Sequence, residues 1–387
     1  MKIRLTFAVG LALCIAGCGS SDQPGPTPPP VAQTPSAPAP SRIPGYEVIS
    51  VADGGSISGM VVVSGPVPRL PKRDVKKDPK VCGTTARDSE QLLVSSSGGL
   101  KNMIVIVEDV KRGKDVPSSL LNSQIDQKNC EYAPHVMVMP VNAEVAILNS
   151  DPILHNIHFY QDDESVSNIA QPVQNHTHKQ KLTKKGMVYA ECDVHGWMQG
   201  HIAVVNNPYV AVTDESGKFS ISDLPAGNYK VKFWHEYLGE TTLEASVNAK
   251  VDTPLNLDLK DLLAAKKPAE AKPAASPDKK IAGPEVVVKM ITEGSSFRFE
   301  PAEITVKAGT RVKWVNDSEN RHTSTADPKL EKKPGQAVVP AGAAIWASPF
   351  LAKDESFTQT FTTPGKYQYF CRNHGQFGME ASITVIP

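Results

Sequence analysis

One spacing occurs twice in this chain and limits what either copy can fold into. Pro134 precedes Asn149 by 15 residues and His155 by 21, and Pro301 precedes Asn316 by 15 and His322 by 21. Downstream, Gly186 lies six residues before Cys192 and Gly365 six before Cys371. Each cysteine is followed after two residues by a histidine and then by a methionine. The two runs read Cys192-Asp193-Val194-His195-Gly196-Trp197-Met198 and Cys371-Arg372-Asn373-His374-Gly375-Gln376-Phe377-Gly378-Met379. Around them lie short alternating segments such as Glu303-Ile304-Thr305-Val306-Lys307, broken by Gly, Pro, Asn and Asp. No long stretch repeats at 3.6 residues, so the pattern predicts an all-β protein built of sandwiches.

The repeated residue types share a chemistry. A thiolate and two imidazoles in a trigonal set, with a weak axial thioether, suit Cu(I) and Cu(II) almost equally. One histidine comes from a distant strand and the other three donors from one loop, which fixes the geometry before metal arrives. Zinc gains little from methionine, whereas copper accepts a soft thioether.

On these residues, 284–387 resembles a plastocyanin-type cupredoxin along its whole length. The resemblance implies copper at His322, Cys371, His374 and Met379. Residues of about 95–205 resemble a second cupredoxin, whose shorter Cys-x2-His-x2-Met loop is similar to that of amicyanin. That implies a second type 1 copper at His155, Cys192, His195 and Met198, the bland alternative being a duplicated fold that binds weakly. Asn156 and Thr323, each directly after the first histidine, match positions where cupredoxins tie the ligand loop together. Gly375, Phe377 and Gly378 mark a shallow apolar patch for a redox partner, although Phe377 fits a core position equally well.

The run from Ser216 to Val231 reads strand, turn, strand and resembles a carboxypeptidase regulatory-like (transthyretin-like) module, with Gly55-Ser56-Ile57-Ser58-Gly59-Met60-Val61-Val62 as its first strand. The expected module spans 45–260 and is interrupted by the first cupredoxin-like region. A series of consecutive sandwiches is the simpler alternative. The expected order is a signal peptide at 1–18, a Pro-rich disordered tether at 19–44, the module with its insertion, an Ala/Lys/Pro linker at 261–283 and the last domain. At roughly 150 residues per domain, 387 residues allow two to three domains. The 32 prolines and 27 glycines, about 15% of the chain, exceed a usual share of about 12% and favour turns and tethers.

The chain opens with Lys2 and Arg4, continues with an apolar run from Leu5 to Ile15, and reaches Ile15-Ala16-Gly17-Cys18. The run is shorter than the roughly 20 residues a spanning helix needs, and reads as a secretory segment. Its end resembles a bacterial lipobox, which implies lipid on Cys18, loss of Cys14 and a folded part facing the periplasm or cell surface. Cys82 and Cys130 then remain, open to a disulfide in an oxidising compartment or to two free thiols.

Other classes find little support. Lys+Arg 41 against Asp+Glu 41 leaves a net charge of zero, without a basic footprint for nucleic acid. Multicopper oxidases use several His-x-His pairs and histidines beside the cysteine. Here Glu191 and Asp193 flank Cys192, Phe370 and Arg372 flank Cys371, and His176 with His178 read as surface loop residues. His135, His201 and His235 have no ligand spacing. No nucleophile elbow, Walker loop or zincin motif occurs, so no enzyme is expected. The resemblance implies a lipid-anchored electron carrier serving redox partner proteins, with flexible linkers rather than a fixed interface governing encounters. Copper sequestration or delivery is the alternative.

Overall fold

The structure, a computed structural model, describes residues 43–162, 164–260, 285–293 and 296–387. The signal peptide, Cys14, Cys18, nearly all of the tether and the linker lie outside the described residues. What is described is mostly β-strand, with helices of three or four residues. Among the described residues no helix is long and apolar enough to cross a membrane.

Two sheets form the first module. One runs Val210–Val212, Ile104–Val107, Gly227–His235, Gly239–Val247, and the other Lys218–Leu224, Gly55–Val62, Asp252–Pro254. The chain leaves this module after Ile104–Val107 and re-enters it at Val210–Val212, which pairs antiparallel with the strand it left. Between these strands lies the first of the two units expected to bind copper. Its five-stranded sheet has the order Glu164–Gln171, His155–Gln161, Gly186–Glu191, Gln199–Val205, Val136–Pro140, and its four-stranded sheet the order His176–Lys181, Glu144–Asn149, Gln124–Lys128, Glu131–Ala133.

The carboxy-terminal unit repeats this arrangement. Val136–Pro140 pairs parallel with Gln199–Val205, placing His201 opposite Val136. Glu303–Lys307 pairs parallel with Glu380–Ile386, placing Ser382 opposite Glu303. In each unit the cysteine-bearing strand then pairs antiparallel with that same partner, Gly186 with Val204 and Gly365 with Val385. The two extra residues of the Cys371 loop are absorbed before the register begins. A one-residue slip would turn every core side chain to solvent, so the shared register reflects the shared alternation of the two sequences. In Glu144–Asn149 and Thr310–Asn316 alternate residues are buried, among them Val145, Ile147, Val312 and Trp314.

Ile57, Val61 and Phe233 of the module share one core with Ile147, Ile157 and Phe159 of the first copper unit, whereas Val288, Phe299, Trp314 and Tyr369 centre a separate core. Each fully buried aliphatic or phenyl group contributes roughly 1.5–3 kcal/mol. Contrary to the expectation of freely swinging domains, the two copper units touch. Tyr160 and Phe350 pack with ring centroids 5.5 Å apart, and the Arg321 guanidinium lies 4.3 Å from the centre of the Tyr189 ring. The paired rings bury apolar surface, and the guanidinium over the ring face is attracted by the ring's quadrupole.

His176 and His178 lie on an edge strand, not a loop. Their strand, His176–Lys181, pairs with Glu144–Asn149 at the edge of the sheet, and its polar sequence carries no apolar alternation to reveal it.

Candidate metal centres

In the first unit His155 opens strand His155–Gln161 and Cys192 directly follows the neighbouring strand Gly186–Glu191, so pairing of these strands brings both to one end of the sheet. The loop to the next strand supplies His195 and Met198. It is closed by Cys192 N–H donating to the Met198 carbonyl at 3.1 Å and Met198 N–H to the His195 carbonyl at 2.8 Å. The Cys371 loop closes in the same way, with Cys371 N–H to the Met379 carbonyl at 3.0 Å and Met379 N–H to the His374 carbonyl at 3.1 Å. His322 is held by backbone bonds in both directions with Leu351.

The donor atoms converge. His155 Nδ1 and His195 Nδ1 lie 3.0 Å apart, with Cys192 Sγ 3.8 Å from His195 Nδ1. In the second site His322 Nδ1 and His374 Nδ1 are 3.0 Å apart, and Cys371 Sγ is 3.7 and 3.6 Å from them. Each of these separations is shorter than two bonds of about 2.0–2.3 Å, and within each set the three donor atoms lie within 4.8 Å of one another, so one ion can draw on all three. All eight ligand residues, Met198 and Met379 included, are at most 1% exposed.

Second contacts hold these side chains in place. Asn156 Oδ1 accepts from Cys192 Sγ at 3.2 Å and from Asp193 N–H at 2.8 Å. Thr323 N–H donates to Cys371 Sγ at 3.3 Å, and its hydroxyl accepts from Arg372 N–H at 2.9 Å. Asn149 and Asn316, the repeated asparagines, each span the histidine loop. Asn149 Nδ2 donates to the carbonyls of Ile153 and Gln171, and Asn316 Nδ2 to those of Asn320 and Leu351. The outer nitrogens find anchors that sequence reasoning did not identify: His155 Nε2 meets Asp151 at 2.9 Å, His195 Nε2 meets Asp78 at 2.8 Å and His322 Nε2 meets Thr292 at 2.9 Å. Asp151 stands four residues before its histidine and was open to notice, whereas Asp78 is 117 residues from His195.

A disulfide joins Cys82 and Cys130. It reaches both anchors of the first site. Cys82 ends the short helix Pro79–Cys82 that Asp78 precedes, and the Cys130 amide donates to Asp151 at 2.8 Å.

The two thiols differ in charge state. Burial pushes the Cys192 thiol up to about 12, only partly offset by the Asn156 and His195 contacts. Burial also opposes a thiolate at Cys371, but His374 and His322 beside it outweigh burial and hold the thiol well below its ordinary value. Burial likewise opposes charge on His374, and the Cys371 thiolate with Asp193 overrides it, raising the imidazole to about 10. His195 is lowered to about 4, chiefly by burial.

Residues 286–386 match the plastocyanin/azurin family of copper binding proteins. A plastocyanin of Scenedesmus fuscus is 36% identical over 105 residues, covering 26% of this chain and 99% of the relative. The chain belongs to the plastocyanin/azurin family. A plastocyanin of Ulva prolifera is 33% identical over 103 residues, covering 26% of this chain and 97% of the relative. A solved pseudoazurin from Methylobacterium extorquens AM1 is 25% identical, covers 26% of this chain and 74% of its own, and has a TM-score of 0.21. The cupredoxin ligands His322, Cys371, His374 and Met379 thus form a type 1 copper site, and His155, Cys192, His195 and Met198 form a second group of the same kind.

The remaining sequence candidates fall elsewhere. Phe377 is 54% exposed and is not core, while the His374 ring is buried under Phe297, stacked at 3.9 Å. His135 and His201, without ligand spacing in the sequence, both bond the buried carboxylate of Glu236.

Proposed function

We propose that this chain is a two-centre electron carrier of the bacterial cell envelope, anchored through lipid on Cys18 and facing the periplasm or surface. On this reading the amino-terminal β-module is a transthyretin-like scaffold that carries the inserted, amicyanin-like copper unit. Copper supplies the one-electron couple when bound. His155, Cys192, His195 and Met198, and His322, Cys371, His374 and Met379, hold it in sets that burial and hydrogen bonds keep fixed.

The observation that carries the reading is the direct link between the two ligand sets. Asn320 Nδ2 donates to the Cys192 carbonyl at 3.3 Å, and two residues further along the chain is His322. Gln199, directly after Met198, donates from Nε2 to the Glu319 carbonyl at 3.0 Å. A short route of covalent and hydrogen bonds therefore joins a ligand of one site to a ligand of the other, which favours a relay over two independent carriers.

The test pairs stopped-flow oxidation and reduction with copper release to a competing chelator. A carrier exchanges electrons fast and keeps its copper. Rapid copper loss with sluggish electron exchange would support sequestration or delivery instead.

A further inference from the structure

The four ligand imidazoles share one arrangement, with Nδ1 turned to the sulfur and Nε2 turned outward. Metal-bound histidines almost always engage the second nitrogen. Three of these do so, with Asp151, Asp78 and Thr292 at 2.8–2.9 Å. His374 does not. Its Nε2 is buried without a hydrogen-bond partner, and Asp193 Oδ1 stands 3.9 Å away, beyond hydrogen-bond reach.

What faces that nitrogen comes from the other copper unit. Glu191 and Asp193 flank Cys192, and Glu191 is fully buried. Glu191 Oε2 accepts from the Tyr189 hydroxyl at 3.1 Å and from Arg321 N–H at 3.3 Å, while its Oε1 is buried and unpartnered. Asp193 Oδ2 accepts from Asn168 Nδ2 at 2.6 Å and Asn156 Nδ2 at 3.0 Å, and His158 Nδ1 lies 3.3 Å from both carboxylate oxygens. Both oxygens of Asp193 and one of Glu191 thus have neighbours, while Glu191 Oε1 and His374 Nε2 are buried without partners. One donor atom from each of Glu191, Asp193 and His374 lies within 4.8 Å of the other two.

Two carboxylates in a buried junction repel one another, and they and the Nε2 of His374 lack solvation there. A divalent cation satisfies all three. Bonds of about 2.0–2.2 Å to nitrogen and oxygen require only a small inward contraction. The donor set has no sulfur, which disfavours Cu(I), and its imidazole and carboxylates suit Zn2+ or Cu2+.

We propose that Glu191, Asp193 and His374 Nε2 form a third metal site, for Zn2+ or Cu2+, in the junction between the two copper units. The site goes beyond the electron-carrier reading and shares with it only His374. That ring then bridges the carboxy-terminal copper and the third ion as an imidazolate, its Nε2 proton passing to bulk water. Two ligands of the third ion are covalently adjacent to Cys192 and the other is a ligand of the second copper, so the ion also locks the junction shut.

The full chain, purified in detergent and loaded with copper, is titrated with Zn2+ and dialysed, and its metals are counted by mass spectrometry. One zinc per chain is expected, with the visible copper band retained. Glu191→Gln should weaken zinc retention on the order of tenfold or more while leaving that band in place. In a Cys192→Ser background, where only the carboxy-terminal site is coloured, zinc should shift the remaining band, and Glu191→Gln should abolish the shift. No retained zinc, or equal retention in Glu191→Gln without any band shift, overturns the site. Zinc content and copper colour are read separately, so failure of one reading is distinct from failure of the other.

Discussion

Replacing both Cys82 and Cys130 with alanine should damage one copper site and spare the other. The disulfide closes a loop with a sequence separation of 48. The chain-entropy relation for a loop of that length gives about 4 kcal/mol of stabilisation. The same bond holds the backbone on which both outer anchors of the first site depend, Asp78 for His195 and Asp151 for His155. Loosening such anchors typically costs about 10–100-fold in metal affinity. Urea unfolding of the copper-free chain, followed by tryptophan fluorescence, should show a loss of about 4 kcal/mol in the transition of the module and first copper unit, which share a core. Chelator competition should show weaker copper at Cys192 and unchanged copper at Cys371. A stability loss below about 1 kcal/mol, or equal weakening of both sites, would refute this account of the disulfide.

Three further outcomes follow from the geometry. Asn156→Ala removes the acceptor shared by Cys192 Sγ and Asp193 N–H, and should weaken copper at the first site about 10–100-fold in the same chelator assay. Copper binding should tighten by about tenfold per pH unit across neutral pH at both sites, because each releases a proton. At the first site it leaves the Cys192 thiol, which is protonated below about 12, and at the second it leaves His374, which is protonated below about 10 beside a thiolate already formed. Affinities that stay flat between pH 6 and 9 would contradict those charge states. Phe297→Ala strips the ring stacked on His374 and should cost the carboxy-terminal domain about 3–5 kcal/mol in thermal or urea unfolding.

The ligands were legible because a metal demands fixed donor types at fixed spacing, and the duplication wrote that spacing twice. Asn149 and Asn316 stood out for the same reason, although only the structure gives them work as braces of the histidine loops. The β-sandwich class followed from period-two alternation in segments such as Glu303–Lys307. The strand at His176 was hidden because an exposed edge strand buries no face. What the sequence could not reveal is long-range. Asp78 meets His195 across 117 residues, and Asn320 meets Cys192 across 128. Glu191 and Asp193 were visible as neighbours of Cys192, yet their turn toward His374 depends on how the two units dock.

The most direct test of the two-site account is thiolate-to-Cu(II) absorption, with the amount of thiolate-bound copper, in the full chain and in Cys192→Ser and Cys371→Ser made separately. The account predicts two such coppers in the parent chain and the loss of one, with its share of the colour, in each variant. A Cys192→Ser chain that keeps both its copper and its colour would contradict it.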